Sequence, residues 1–203
     1  MKTSSVVGLD LSLDSTGIAI RGRAVTIKTP RLGPEASLAD WSERLEDIAD
    51  RVVTQICAWD PQLVVLEAPQ LMARKVGNWH ERAGLHWTVI ADLLRKGITV
   101  AHCPTARVKT FLCGRAHAKK PECYAAAKAI WKDCVFLSDD EADAMALCAI
   151  GSEWIGQGFP DLPQANRLRS GLAPWKKNPK AKTSKKPNRK SRKADNHAIR
   201  HGD

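Results

Sequence analysis

Apolar and polar positions follow two alternating periods along roughly the first three quarters of the chain. Val6, Val7 and Leu9 form a short run of strand formers that ends on Asp10. Ser12, Asp14, Ser15 and Gly17 carry turn chemistry, and Ile18, Ala19 and Ile20 resume the strand, so this stretch predicts a hairpin. Ala24 to Lys28 predicts a third strand. From Ser37 to Trp59 the period changes: Leu38, Trp41, Leu45, Ile48, Val52 and Ile56 recur every three or four residues, the spacing of a helix. Ser37 suits its N-cap, with Asp40 three residues on. Gln62 to Glu67 is a continuous apolar run closing on an acid, as in a central strand covered on both faces.

The second half repeats the alternation. Asn78 to Lys96 predicts a long helix whose broad apolar face includes Trp79, Leu85, His86, Val89, Leu93 and Leu94, with Gly97 as its stop. Ile98 to Cys103 predicts a fifth strand. Pro104 and Thr105 open a short helix through Phe111, and Glu122 to Lys132 forms another. Ser138 to Ile155 predicts a last helix that is apolar nearly all round, capped by Ser138 with Glu141 at the capping-box position. The fold class expected is α/β, with a five-stranded mixed sheet flanked by helices.

Acids stand out against this pattern. Two buried-type strands finish in carboxylates, Asp10 and Glu67, and open α/β sheets collect ligands at the carboxyl ends of their strands. Asp140 and Asp143 are three residues apart and share a helical face. An acid inside apolar surroundings is costly unless positive charge meets it. A divalent metal, or a phosphate-bearing substrate with its metal, supplies that charge. For Asp10 alone, the bland reading is a solvated strand-end residue that starts the turn.

Charge divides the chain. From Asn166 to Asp203 there are 13 Lys or Arg and 2 Asp, a balance of +11 against +10 for the whole chain, so the remainder is near neutral. With several prolines and few apolar residues this end is expected to be a disordered basic tail suited to a polyanion, nucleic acid first. The expected division is a domain over 1–160 and a tail over 161–203. The six cysteines include no C-x-x-C pair, and no export signal or membrane span of ~20 apolar residues is read. The expectation is reduced, buried thiols in the cytoplasm of a bacterial cell or a phage-infected host, rather than disulfides or a zinc site.

Taken together, G-L-D-L-S-L-D-S-T-G at 8–17, L-V-V-L-E at 63–67, P-T-x3-K at 104–109, A-K-K at 118–120 and D-E-A-D-A-M-A at 140–146 resemble the RuvC family of Holliday junction resolvases, within the ribonuclease H-like superfamily. The resemblance spans about 4 to 152. It implies an endodeoxyribonuclease that cuts four-way DNA junctions by symmetric nicking through two Mg²⁺ ions per site, with Mn²⁺ as a possible substitute. It implies that Asp10, Glu67, Asp140 and Asp143 hold the metals, with Asp139 the competing register for the third ligand. It assigns Lys109, and Lys119 or Lys120, to the scissile phosphate or the DNA strand. After Glu67, Leu71 or Met72 stands where the family often has an aromatic wedge, and Arg74 and Lys75 are phosphate-contact candidates. A junction of two-fold symmetry implies a homodimer. The rival readings are a nuclease acting on flaps and forks more broadly, a non-catalytic DNA-binding scaffold, and a sugar kinase or actin-like ATPase, which shares the first hairpin but needs a second and a longer chain.

Overall fold

The computed structural model describes residues 5–69, 78–160 and 162–170. Five strands form one sheet in the order β3-β2-β1-β4-β5: β1 (Val6–Asp10), β2 (Ser15–Ile20), β3 (Arg23–Lys28), β4 (Leu63–Glu67) and β5 (Thr99–Cys103). β1 to β3 are an antiparallel meander, whereas β4 and β5 join β1 in parallel through helical crossovers. The helices are α1 (Leu38–Cys57), α2 (Trp79–Arg95), α3 (Thr105–Cys113), α4 (Lys120–Ile130), α5 (Asp139–Trp154) and α6 (Gln164–Ser170). This is the mixed α/β sheet expected.

The two-residue period of the strands sorts side chains into two cores. Val7, Leu9, Ile18, Val64 and Leu66 pack with α1 and α2, through Ile48, Val52, Ile56, Leu85, Val89 and Leu93. Val6, Ala19, Leu63, Val65, Ala101 and Cys103 pack with α3, α4 and α5 on the other face. α5 lies directly on the sheet because Gly8 and Gly17 have no side chains. A Cβ at Gly8 would overlap the Ala144 carbonyl oxygen, and one at Gly17 the Asp140 carbonyl. The helix backbone therefore rests on β1 and β2, and its buried side runs almost unbroken from Glu141 to Ser152.

Local chemistry sets the helix ends. Ser37 and Asp40 make the expected capping box at α1. Ser138 caps α5 by accepting the Glu141 N–H. Glu141 does not complete that box: its buried carboxylate accepts from Thr26 Oγ1 at 2.6 Å and from the Leu137 N–H at 2.7 Å, tying α5 to β3. Three positions read as parts of apolar helix faces are instead exposed: Leu38 on α1, and Trp79 and Leu94 on α2. Arg44, by contrast, is buried. It donates to the Leu13 and Pro30 carbonyls and to Asp14 Oδ1, pinning the β1–β2 turn to α1. The six cysteines are unpaired thiols.

The stretch from 161, expected as tail, opens with an ordered helix. α6 is short and polar, which hid it in the sequence. Asn166 Nδ2 donates to the Phe111 carbonyl at 2.7 Å and Trp154 Nε1 to the Ser170 carbonyl at 3.0 Å. The rest of the basic stretch, 171–203, lies outside the described residues.

Candidate active site

Parallel pairing of β1 with β4 runs from Val6 opposite Leu63 to Leu9 opposite Leu66, so the two strands end level, in Asp10 and Glu67. By the strand period, Asp10 shares the face of Val6 and Gly8, and Glu67 that of Leu63 and Val65; both faces look toward α5. The contact at Gly17 sets the first turn of α5 beside Asp10, since Gly17 is the antiparallel partner of Asp10. Asp140 is then fixed by Ser15 Oγ, which donates to its Oδ2 at 2.6 Å. Three elements distant in sequence thus meet at the carboxyl edge of the sheet.

The electrostatics show the convergence. Burial pushes the Asp10 carboxyl well above the ordinary range, and the charges of Glu67, Asp143 and Asp140 push it further. Burial, then Glu67, raises Asp143 to about 7, with Lys120 opposing and Asp139 and Asp140 adding to the rise. Like charges gathered in a poorly hydrated place resist ionisation together. Lys120, at the start of α4, is the counter-charge: its Nζ lies 2.6 Å from Asp139 Oδ2 and 3.8 Å from Asp140 Oδ1. Burial disfavours its charge, but the Asp139 hydrogen bond and the charges of Asp139, Asp140 and Asp10 outweigh that and raise its pKa.

The adjacent acids at the head of α5 part company. Asp140 turns inward to Ser15 with 16% of its side chain exposed; Asp139 turns outward to Lys120 with 43% exposed. Lys119 is the N-cap of α4, where its backbone N–H donates to Glu122 Oε2. Lys109 lies on α3, where its charge favours the Cys123 thiolate while that of Asp143 opposes it. Among the described residues Lys109 pairs with none of the four acids. Leu71, Met72, Arg74 and Lys75 lie outside the described residues.

Hard divalent cations take oxygen donors, and four carboxylates offset by one ammonium are a donor set of that kind. The residues fit such an ion chemically, although among the described residues no three His, Cys, Asp or Glu side chains are drawn together as a closed ligand group. Sequence reasoning missed Ser15, which it took only as turn chemistry. Its signal was the strand period: Ser15 and Gly17 share the face that meets Asp10 and α5.

No family model and no curated protein sequence matches the chain. Solved structures do. Thermus thermophilus RuvC aligns at 19% identity over 75% of this chain and 97% of its own, with a TM-score of 0.59. The same protein in complex with a Holliday junction substrate aligns equally well, over 76% of this chain. Ydc2, the yeast mitochondrial Holliday junction resolvase, aligns at 11% identity over 83% of this chain and 79% of its own, with a TM-score of 0.51. Sheet order, crossovers and the helix laid across β1 and β2 give this chain a RuvC-like fold of the ribonuclease H type.

Proposed function

We propose that the chain is a divalent-metal-dependent endodeoxyribonuclease that resolves four-way DNA junctions by paired, symmetric nicks. The observation that carries this is the meeting of Asp10, Glu67, Asp140 and Asp143 from three elements, under mutual charge repulsion, with one lysine at the rim. The likeness in fold to proteins described as Holliday junction resolvases supports the choice of substrate. The four acids would hold two Mg²⁺ ions, which supply an activated water and stabilise the leaving oxygen of the phosphodiester. The chain's own groups do the rest. Ser15 holds Asp140 in place, and the Lys120 ammonium at the rim offers positive charge to a phosphate. A two-fold substrate asks for two sites, and Trp79, Trp87 and Leu94, exposed on α2, offer an apolar face for a homodimer.

The test is cleavage of a synthetic four-way junction beside a fork, a flap and a linear duplex, in Mg²⁺ and in EDTA, with Asp10→Asn as control. Paired nicks in the junction alone, lost in EDTA and in the variant, are expected. Cutting of every branched form would make the protein a broad structure-selective nuclease. Tight, salt-sensitive binding without cutting would make it a scaffold. Asp143→Asn is expected to keep the fold and junction binding and to lose cutting by about 10²-fold or more; substantial residual cleavage would remove Asp143 from the site.

A further inference from the structure

Asp139 stands next to a carboxylate of the cluster yet makes a different contact. Asp140 and Asp139 follow one another in the first turn of α5, so their side chains leave the helix about 100° apart. Asp140 is held inward by Ser15 Oγ. Asp139 faces the rim, and its Oδ2 takes the Lys120 ammonium at 2.6 Å. The same ammonium is 3.8 Å from Asp140 Oδ1, beyond hydrogen-bond reach. Lys120 is thus drawn toward the outer acid, although Asp140 and Asp10 also attract it. With Asp139 gone, the nearest anion for this ammonium is Asp140, one of the acids that would hold a divalent cation together with Asp10 and Asp143.

We propose that Asp139 is a positioning residue: it binds no metal, but tethers Lys120 at the rim of the carboxylate cluster, off the metal positions and free to meet a phosphate. This rests on the nuclease reading for its consequence in catalysis, but not for its consequence in metal binding. A carboxylate that orients a functional group from outside typically matters by about 10–100-fold. An acid that acts only through Lys120 must also lose its effect once Lys120 is gone, which a double-mutant cycle measures.

The experiment uses the full chain as wild type, Asp139→Asn, Lys120→Met, the double variant and Asp140→Asn. Two quantities are read: the Mn²⁺ concentration that half-saturates the thermal-shift response, and kcat and KM on a four-way junction. Asp139→Asn is expected to weaken Mn²⁺ binding several-fold and to lower kcat about tenfold with little change in KM. In the Lys120→Met background the same substitution is expected to change neither. Asp140→Asn should abolish the Mn²⁺ response in any background. If Asp139→Asn weakens Mn²⁺ binding equally with Lys120 absent, Asp139 is a ligand and the proposal is overturned. If Asp139→Asn alone changes nothing, the tether has no role and the proposal is equally overturned. A wild-type protein that binds Mn²⁺ but cuts no branched DNA would sink the nuclease reading, and the Mn²⁺ cycle would still decide the tether.

Discussion

At the scale of single residues, the candidate site depends as much on missing side chains as on charged ones. Asp10 and Glu67 were legible because each closes an apolar run that has no other use for an acid. Asp143 was legible because it interrupts an apolar helix. The choice between Asp139 and Asp140 was not, since consecutive helix residues differ only in direction, and direction is settled by Ser15 on one side and Lys120 on the other. Gly17 was read only as turn chemistry and Gly8 only as part of a motif, and neither as the seat of α5, because a glycine does not say what approaches it. Gly8→Ala would drive a methyl group into the Ala144 carbonyl and the Cys148 backbone nitrogen. We expect a loss of about 3 kcal/mol or more in stability, as for overpacked cores, measured by denaturant unfolding. Mn²⁺ affinity should fall in the variant even where it remains folded, because α5 carries two of the acids. A variant of unchanged stability would mean that the helix does not rest on β1.

Among the elements, the pattern located all five strands and five of the six helices of the described residues, and the errors fall where amphipathic faces compete. Leu38 and Trp79 fit a helical stripe in sequence, but each sits at the first position of its helix, where the stripe has already left the sheet. The cap of α5 was readable: Ser138→Ala should cost about 1 kcal/mol, the usual worth of an N-cap, by the same unfolding measurement. One pairing between elements was not readable at all. His86 on α2 and His102 on β5 stand with their Nε2 atoms 2.9 Å apart, one donating to the other. Burial, and then the neighbouring His102, lowers His86 from 6.5 to about 4, and burial lowers His102 as well. The unfolded chain takes up these protons near pH 6.5, whereas the folded chain refuses the one on His86 until about pH 4. The stability this pair contributes is therefore present above pH 6.5 and is lost as the pH falls toward 4. Asp143, raised from 3.8 to about 7, acts in the opposite sense across that whole range, so the difference between variants is the useful quantity. His86→Gln should show a shallower fall in Tm between pH 6.5 and 4 than the wild type in calorimetry. Parallel curves would mean that His86 is protonated in the folded state.

For the whole molecule, charge and fold are distributed differently. The near-neutral part builds the sheet and both cores, and the excess of lysine and arginine is gathered at the far end. Composition marked where the charge changes but not α6, which is held through backbone carbonyls that no hydrophobic pattern announces. Asn166 reaches the Phe111 carbonyl on α3, and the Ser170 carbonyl receives the Trp154 indole. Two truncations separate these roles. Removal of 171–203 takes away 11 Lys or Arg and 2 Asp while leaving α6 whole. Such a protein should keep its Tm and its cutting rate at saturating junction, but bind DNA more weakly at low salt. Each phosphate that is no longer neutralised should flatten the dependence of log K on log salt by about 0.9 for duplex arms. Removal of 161–203 should flatten it in the same way and also lower the Tm, because α3 and α5 then lose the Asn166 and Trp154 hydrogen bonds and the Arg167–Glu153 ion pair. Equal Tm for the two truncations would make α6 a mere continuation of the basic stretch. A salt slope equal to that of the full chain would show that the basic stretch does not touch DNA, and that the junction is held by the sheet edge and its lysines alone.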